Sequence, residues 1–284
     1  MGTSGSLSFL AGAYTGWYLL SKGLFNPQDI PVLLYHDVSY DFYWTFSRVT
    51  PLLFKRQMQH LNQHGYHTIS VDDYLTGEHS PKSFMLTFDD GYTSIVDKAL
   101  PVLSEFNMTG VVFVVTGFMG KYNQWDVNLG GYQNRHMDWE QVEKLIDCSW
   151  EIGSHSHNHL DFTQISLSQI QDEISQSQQE ILKYTGKSPR LFSYPFGRCH
   201  PQAAEAVRTA GFKAGFTSYP RTNLNLNRWA IGRRPVYLLD TRYDVMARVE
   251  PSAWKNLYYD WLGRGINFFA GGVGMYQKLI KPRF

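Results

Sequence analysis

The sequence predicts a single α/β domain whose parallel strands form a barrel. Short apolar or β-branched segments, such as 84–88 and 110–115, alternate with segments whose apolar residues recur at helical spacing. Strands and helices in regular alternation indicate parallel strands connected by helices. The chain carries about eight such strands, and this number in one domain favours a barrel over an open sheet.

Capping and breaking residues delimit the elements in the first half of the chain. One helix begins at Thr50 and Pro51, a capping side chain followed by proline in the first turn, and Gly65 ends it. Another helix covers 94–106, where Pro101 interrupts the pattern. The strands in this half are predicted at 31–35, 67–70, 84–88 and 110–115.

A long loop and two capping boxes characterise the second half. Residues 116–137 are rich in glycine, asparagine and tyrosine, and loops of this length usually cover a site or are disordered. Asp138 with Gln141, and Ser166 with Gln169, have the pattern of a capping box at a helix start. The remaining strands are predicted at 150–153, 191–194, 213–217 and 235–239.

Composition narrows the classes of function. The chain has 284 residues and a formal net charge of +1, which argues against a broad surface for nucleic acid or membrane. Cys148 and Cys199 form no metal-binding or disulfide framework, and we do not expect them to pair with each other. No clean apolar span of about 20 residues is present to cross a membrane.

We divide the chain into an N-terminal extension (1–29), a barrel (30–245) and a C-terminal extension (246–284). Residues 7–25 are moderately apolar but lack the positive region of a secretory signal, so they are either a weak anchor or atypical signal, or a packed or loosely ordered extension. Residues 266–284 mix aromatic and basic side chains, as an amphipathic surface segment or a docked helix would. Membrane association through the termini and the oligomeric state are left open.

Carboxylates and imidazoles follow the ends of predicted strands. Asp89 and Asp90 end one strand, His155 and His159 come just after another, and His36 follows the first. The C-terminal ends of barrel strands lie on one face, so we expect these side chains to converge there. The alternative interpretations are an Asp-Gly turn, a polar loop with incidental histidines, and a buried structural histidine at position 36.

Such a donor set suits a divalent metal in a hydrolase. Asp90, His155 and His159 would hold the ion and leave positions for water and a substrate oxygen. Zinc is the expected metal, with cobalt, nickel and iron as alternatives. Asp89 would accept a proton from water, and His36 is the candidate general acid for a departing amine.

Together these motifs resemble those of the polysaccharide deacetylases of carbohydrate esterase family four, over roughly residues 30–240. Thr87–Gly91 (TFDDG) is similar to the family's first motif, in which the first Asp is the base and the second binds metal. His155–His159 (HSHNH) is similar to the His-Ser/Thr-x-x-His motif, whose outer histidines bind metal. The resemblance implies a distorted (β/α) barrel of about seven strands and metal-dependent removal of acetyl groups from N-acetylated sugars.

Residues 32–37 (VLLYHD) resemble the first strand of a rearranged subgroup that acts on exopolysaccharides such as poly-N-acetylglucosamine, in which this histidine is the acid. The chain departs from the family at Ser193, where many members have an arginine that tethers the base. Arg233 or Arg234 is a candidate replacement, although a solvated basic pair is the interpretation that we favour.

Further residues are candidates for the substrate pocket. The resemblance implies that Pro195 and Phe196, with Tyr194, wall the acetyl pocket, and that the Phe196 N–H helps to hold an oxyanion. Trp125 and Trp139 are candidates for a pocket wall or sugar platform. Core packing is the favoured role for Trp139, whereas both roles are balanced for Trp125.

The sequence therefore predicts a metal-dependent hydrolase that removes N-acetyl groups from an N-acetylated saccharide or polysaccharide. Two alternatives stay open: a glycan-binding protein with the same fold and little catalysis, and an amidase or deformylase acting on a non-acetyl substrate. The resemblance favours a cell-envelope or extracytoplasmic location and an N-acetylated glycan as the partner, with no nucleic acid.

Overall fold

The structure, a computed structural model, describes residues 30–40, 47–125, 133–218 and 228–250. The predicted N-terminal extension and nearly all of the C-terminal one lie outside these residues, so the boundaries of the three regions stay predictions. Within the described ranges, no helix combines the length and the apolar character that a membrane crossing requires. Both cysteines, the exposed Cys148 and the buried Cys199, are free, as expected.

Short strands and helices alternate along the chain. The strands are β1 (Val32–Tyr35), β2 (Asp37–Val38), β3 (Arg48–Val49), β4 (His67–Thr68), β5 (Ser83–Phe88), β6 (Val111–Val114), β7 (Glu151–Ser154), β8 (Leu191–Ser193), β9 (Ala214–Thr217), β10 (Ile231–Gly232) and β11 (Arg234–Pro235). The α-helices are α1 (Pro51–Gln63), α2 (Val71–Thr76), α3 (Leu100–Glu105), α4 (Trp139–Asp147), α5 (Leu167–Thr185), α6 (Pro201–Thr209) and α7 (Arg242–Val249).

The main sheet is parallel and nearly closes on itself. Its strands lie in the order β10, β9, β8, β7, β6, β5, β1, β11, with β4 added beside β5. The two ends of this order, β10 and β11, are adjacent in the chain and separated only by Arg233. One short segment, 231–235, therefore pairs with β9 and then with β1. Counting this segment once gives a barrel of seven strands, which confirms the predicted fold class.

Burial follows the parallel architecture. All residues of β1, β5 and β6 are buried, as expected for strands with side chains packed on both faces. The helices α1, α4 and α5 contribute Phe54, Leu145 and Ile181 to the largest apolar cluster. This packing fixes the strand ends, from which the site residues project.

Local signals give most element starts correctly. The Thr50 side chain caps α1, and the capping boxes of Asp138 and Ser166 are both present. The predicted strand 67–70 is shorter because Ser70 instead caps α2, accepting a hydrogen bond from the Asp73 N–H.

Two details of the predicted elements differ in the structure. A turn of π-helix, Ile95–Ala99, precedes Pro101, because proline has no N–H for the regular helical hydrogen bond. The predicted strand 235–239 is shorter in the structure: pairing of β11 ends at Pro235, and Asp240 accepts a hydrogen bond from the Tyr237 N–H to form a turn.

Candidate metal centre

The turn after β5 separates two neighbouring carboxylates. The Asp89 N–H continues the sheet by donating to the Tyr35 carbonyl at 3.0 Å. Asp90 and Gly91 then adopt left-handed backbone conformations, with φ of +67° and +63°. Aspartate tolerates this conformation better than most residues, and a Cβ at Gly91 would lie 3.1 Å from Val114 Cγ1. The reversal lets the two side chains contact different parts of the barrel.

The loop after β7 carries the two predicted imidazole ligands. The His155 Nδ1 donates to the Ser193 carbonyl at 2.8 Å, so its Nε2 is the nitrogen left to act as a ligand. Ser156 and His159 have φ of +68° and +56°, a strained conformation for residues other than glycine. These two left-handed conformations curl the loop so that both imidazoles point toward Asp90.

Three donor atoms meet at the strand ends. Asp90 Oδ1 lies 3.5 Å from the Nε2 atoms of both His155 and His159, and ligand atoms of the three residues lie within 4.8 Å of one another. Two ligands of one tetrahedral zinc ion, each about 2.1 Å from it, are about 3.4 Å apart. The three buried residues therefore fit a divalent metal, as the sequence predicts.

The imidazoles are in the protonation state that a metal requires. Burial lowers the pKa of His155, although Asp89 and the Ser193 carbonyl act in the opposite direction. Burial and the neighbouring His155 hold the pKa of His159 well below its usual value. Both rings are thus neutral at neutral pH, as metal ligands must be.

Arg233 binds the carboxylate of Asp89, the other acidic residue of the turn after β5. Its Nη1 and Nη2 donate to Asp89 Oδ1 and Oδ2 at 2.8 and 2.6 Å, and Ser193 Oγ donates to Asp89 Oδ2 at 3.0 Å. Burial by itself would raise the pKa of the Asp89 carboxyl, but Arg233 and His155 bring it well below the usual range. Asp89 is therefore a permanently ionised group at neutral pH.

The favoured interpretation of Arg233 as part of a solvated pair is wrong. Its side chain is fully buried, and its Nε donates to the Thr217 carbonyl at 3.2 Å. The guanidinium also lies 5.5 Å from the ring centre of Phe113. Arg233 takes the place that the resemblance gives to an arginine at position 193, and Ser193 shares its contact with Asp89.

His36 lies within electrostatic range of this centre. It follows β1, and its Nδ1 is buried without a hydrogen-bond partner among the described residues. Burial lowers the pKa of His36 to about 4, with Asp89 raising it and Arg233 and His155 lowering it further. The sequence prediction that His36 joins the other strand-end residues agrees with these interactions.

Aromatic side chains flank His159. The Trp125 ring stacks on the imidazole with centroids 4.2 Å apart, and the Phe196 ring lies 4.6 Å away on a residue with φ of +57°. Pro195 is buried beside Phe196 in the turn after β8. These contacts place Trp125, Pro195 and Phe196 at the centre or next to it.

The other two predicted pocket residues have structural contacts. The buried Tyr194 donates its hydroxyl to the Trp229 carbonyl at 2.7 Å and packs in an apolar cluster. Trp139 stacks on Tyr184 with centroids 4.4 Å apart and packs against the core. These contacts support core packing, and the pocket roles of both residues stay predictions.

Sequence reasoning missed His136. The residue is fully buried, its Nδ1 donates to the Asp90 carbonyl at 2.7 Å, and its ring centre lies 5.0 Å from that of Trp125. This hydrogen bond supports the left-handed conformation of Asp90. A lone histidine in a long loop gives no local sign of such a role.

The fold and the site define a class of protein: a parallel (β/α) barrel with a candidate metal centre at the C-terminal ends of its strands. The polysaccharide deacetylase family model matches residues 76–215. Residues 76–215 therefore form a polysaccharide deacetylase domain.

Individual relatives agree with the family. The chain is 27% identical over 200 residues to Bacillus subtilis YxkH, described as a candidate polysaccharide deacetylase, covering 69% of this chain and 66% of YxkH. It is 26% identical over 182 residues to a poly-β-1,6-N-acetyl-D-glucosamine N-deacetylase of Staphylococcus epidermidis, covering 60% of this chain and 61% of the relative. The aligned regions thus span less than two thirds of either relative.

Solved structures share the fold. IcaB from Ammonifex degensii superposes with a TM-score of 0.64 and 25% identity, covering 80% of this chain and 97% of IcaB. The Streptococcus pyogenes deacetylase PplD, in complex with acetate, superposes with a TM-score of 0.68 and 21% identity, covering 78% of this chain and 98% of PplD. The second comparison is evidence of fold alone.

Proposed function

We propose that this chain is a metal-dependent hydrolase that removes N-acetyl groups from an N-acetylated saccharide or polysaccharide. One observation carries the proposal: the Asp90, His155 and His159 donor atoms converge, and the ionised Asp89 Oδ2 lies 3.8 Å from the Nε2 of His155. A base beside a metal centre is the arrangement that amide hydrolysis by water requires. The deacetylase names of the relatives support acetyl as the group removed.

The metal is assigned to Asp90, His155 and His159, with zinc proposed and cobalt, nickel or iron as alternatives. When bound, the ion would polarise the amide carbonyl and lower the pKa of water. The surrounding residues keep the ligands ready, because the Ser193 and Asp90 carbonyls accept hydrogen bonds from His155 and His136.

The chain's own groups move the protons. Asp89, kept ionised by Arg233, accepts a proton from the attacking water while the water oxygen bonds to the acetyl carbon. The bond between this carbon and the amide nitrogen then breaks, and His36 donates a proton to the nitrogen. In the free protein His36 is neutral, so the proton that it donates reaches it from solvent or from the protonated Asp89, and negative charge developing on the substrate favours this uptake. The products are acetate and an amine.

The walls of the proposed substrate site are aromatic. Trp125 and Phe196 contact His159 from two sides, and apolar rings of this kind can enclose an acetyl methyl group or stack on a sugar. We propose that the Phe196 N–H, on the turn after β8, donates a hydrogen bond to the oxyanion that forms on the substrate carbonyl. The family's substrates also make a cell-envelope or extracytoplasmic location our proposal, which fractionation of cells with and without residues 1–29 would test.

Acetate release from N-acetylglucosamine oligomers tests this function. Purified protein is stripped with a chelator and reloaded with Zn²⁺, Co²⁺ or Ni²⁺, and both acetylated and formylated oligomers are offered. We expect acetate release that depends on added metal. Oligomer binding without acetate release would contradict hydrolysis and favour the glycan-binding alternative, and preferential release of formate would favour a deformylase.

A further inference from the structure

Helix α5 presents a buried carboxylate to the loop that carries the imidazole ligands. Glu173 is only 5% exposed. Its Oε2 accepts hydrogen bonds from the backbone N–H groups of His157 at 3.0 Å and Asn158 at 2.7 Å. Its Oε1 accepts a third from Asn158 Nδ2 at 2.8 Å. Hydrogen bonds to a charged acceptor are strong, and burial strengthens them further.

The loop needs such support because its backbone is strained. Ser156 and His159 both have left-handed φ values, which are unfavourable in residues other than glycine. The two backbone N–H groups that donate to Glu173, those of His157 and Asn158, lie between Ser156 and His159. On the opposite side, the Gly117 N–H donates to the His157 carbonyl at 2.8 Å. The central peptides of the loop are therefore held from two directions.

A second contact from the same helix reinforces the first. Ser177 lies one turn after Glu173, and its Oγ is 2.7 Å from Ser154 Oγ. Ser154 Oγ accepts a hydrogen bond from the Ser156 N–H at 3.2 Å. Helix α5 thus contacts the loop at its start and at its centre.

We propose that Glu173 is a positioning residue for the metal centre. By fixing the backbone between His155 and His159, it holds their Nε2 atoms at the distance from Asp90 that one ion requires. The proposal rests on the metal centre of the proposed function but not on its substrate. Glu173 is not itself one of the proposed metal ligands, because its carboxylate oxygens accept hydrogen bonds from N–H groups of the loop.

Two substitutions separate the contributions of Glu173. Glu173→Ala removes every acceptor. Glu173→Gln keeps an oxygen for the two backbone N–H groups, and a rotated Asn158 amide can accept from its new NH₂ group. We expect Glu173→Ala to weaken Co²⁺ binding roughly 10- to 100-fold, the usual range for groups that support metal ligands, and Glu173→Gln to restore most of the affinity.

Visible absorption of Co²⁺ bound to the full chain measures both affinity and ligand geometry without an activity assay. Asp172→Ala, an exposed acid on the same helix, controls for charge, and Ile181→Val, buried on that helix, controls for stability. Both should bind Co²⁺ as the unaltered protein does.

Unchanged affinity and spectrum in Glu173→Ala would overturn the positioning role while leaving the metal centre intact. An equal loss in Ile181→Val would overturn it too, by showing a general effect of stability. If Glu173→Ala does not fold, the Glu173→Gln variant decides. A folded Glu173→Gln protein that binds Co²⁺ about 100-fold more weakly than the unaltered protein, or weaker still, would contradict the expected rescue. Failure of the unaltered protein to bind Co²⁺ would instead overturn the metal centre, and this role with it.

Discussion

Asp89 and Asp90 are adjacent in the chain, yet their surroundings differ in almost every respect. Asp89 accepts two hydrogen bonds from Arg233 and one from Ser193. Asp90 has a left-handed backbone, and its Oδ1 lies 3.5 Å from two neutral imidazoles. A fixed cation compensates the first charge, whereas the second sits where an exchangeable cation fits. Neighbouring residues of one type thus differ in their proposed roles because the barrel brings different partners to each.

Replacing Asp90 should have the largest effect. Asp90→Asn keeps the shape of the side chain and tolerates the left-handed backbone, but it removes the one carboxylate among the three proposed ligands. We expect metal affinity to fall on the order of 100-fold or more and acetate release to fall to background. Metal analysis of the purified variant beside the acetate assay checks both. Normal metal content in this variant would show that Asp90 is not a ligand.

Asp89→Asn should separate catalysis from metal binding. The amide cannot accept the proton from water, so we expect acetate release to fall by about 10²- to 10⁴-fold while metal content stays largely unchanged. The same two measurements apply. Hydrolysis at the normal rate would mean that another group is the base.

Arg233→Met should expose the cost of an uncompensated Asp89. Breaking a buried ion pair by removing one partner costs about 3–5 kcal/mol of unfolding free energy, and the pKa of Asp89 should rise, which lowers the ionised fraction of this carboxyl at neutral pH. Denaturant unfolding measures the loss. Arg234→Met is the matched control, since Arg234 contacts the Arg248 carbonyl and not Asp89. Equal losses in both variants would contradict the tether.

The pH dependence of the metal-free protein should reflect His36 and His136 and not Asp89. Burial lowers the pKa of both His36 and His136 from 6.5 to about 4. Between these values the unfolded chain binds protons that the folded chain does not, so stability falls as the pH falls, by up to about 1.4 kcal/mol per pH unit for each histidine. Asp89 stays ionised in this window because its folded pKa is lower still.

Denaturant midpoints at pH 7.0, 5.5 and 4.5, with chelator present, check this prediction. His36→Asn should make the dependence shallower. A midpoint that does not change over this range would contradict the assignment of neutral rings.

Local sequence was enough to predict the fold class and to select the candidate ligands, whereas contacts between residues far apart in the chain could not be predicted from it. Capping at Thr50, Asp138 and Ser166 is encoded within three residues, and the Asp and His motifs each lie within one turn. Arg233 contacts Asp89, which lies 144 residues earlier in the chain. From sequence alone, Arg233 and Arg234 together predict a solvated basic pair. Its burial follows only from the closure of the barrel. His136 is hidden for the same reason, since its partner is a backbone carbonyl 46 residues away.

The position of Arg233 between β10 and β11 has a consequence for biosynthesis. Because synthesis begins at the N-terminus, Asp89, Asp90 and both imidazoles are made well before residue 233. Until β10 and β11 pair with their neighbouring strands, Asp89 lacks the counter-charge of Arg233. A polypeptide interrupted before this segment would contain the proposed ligands and base but not Arg233, so the counter-charge of Asp89 arrives only with the segment that closes the barrel.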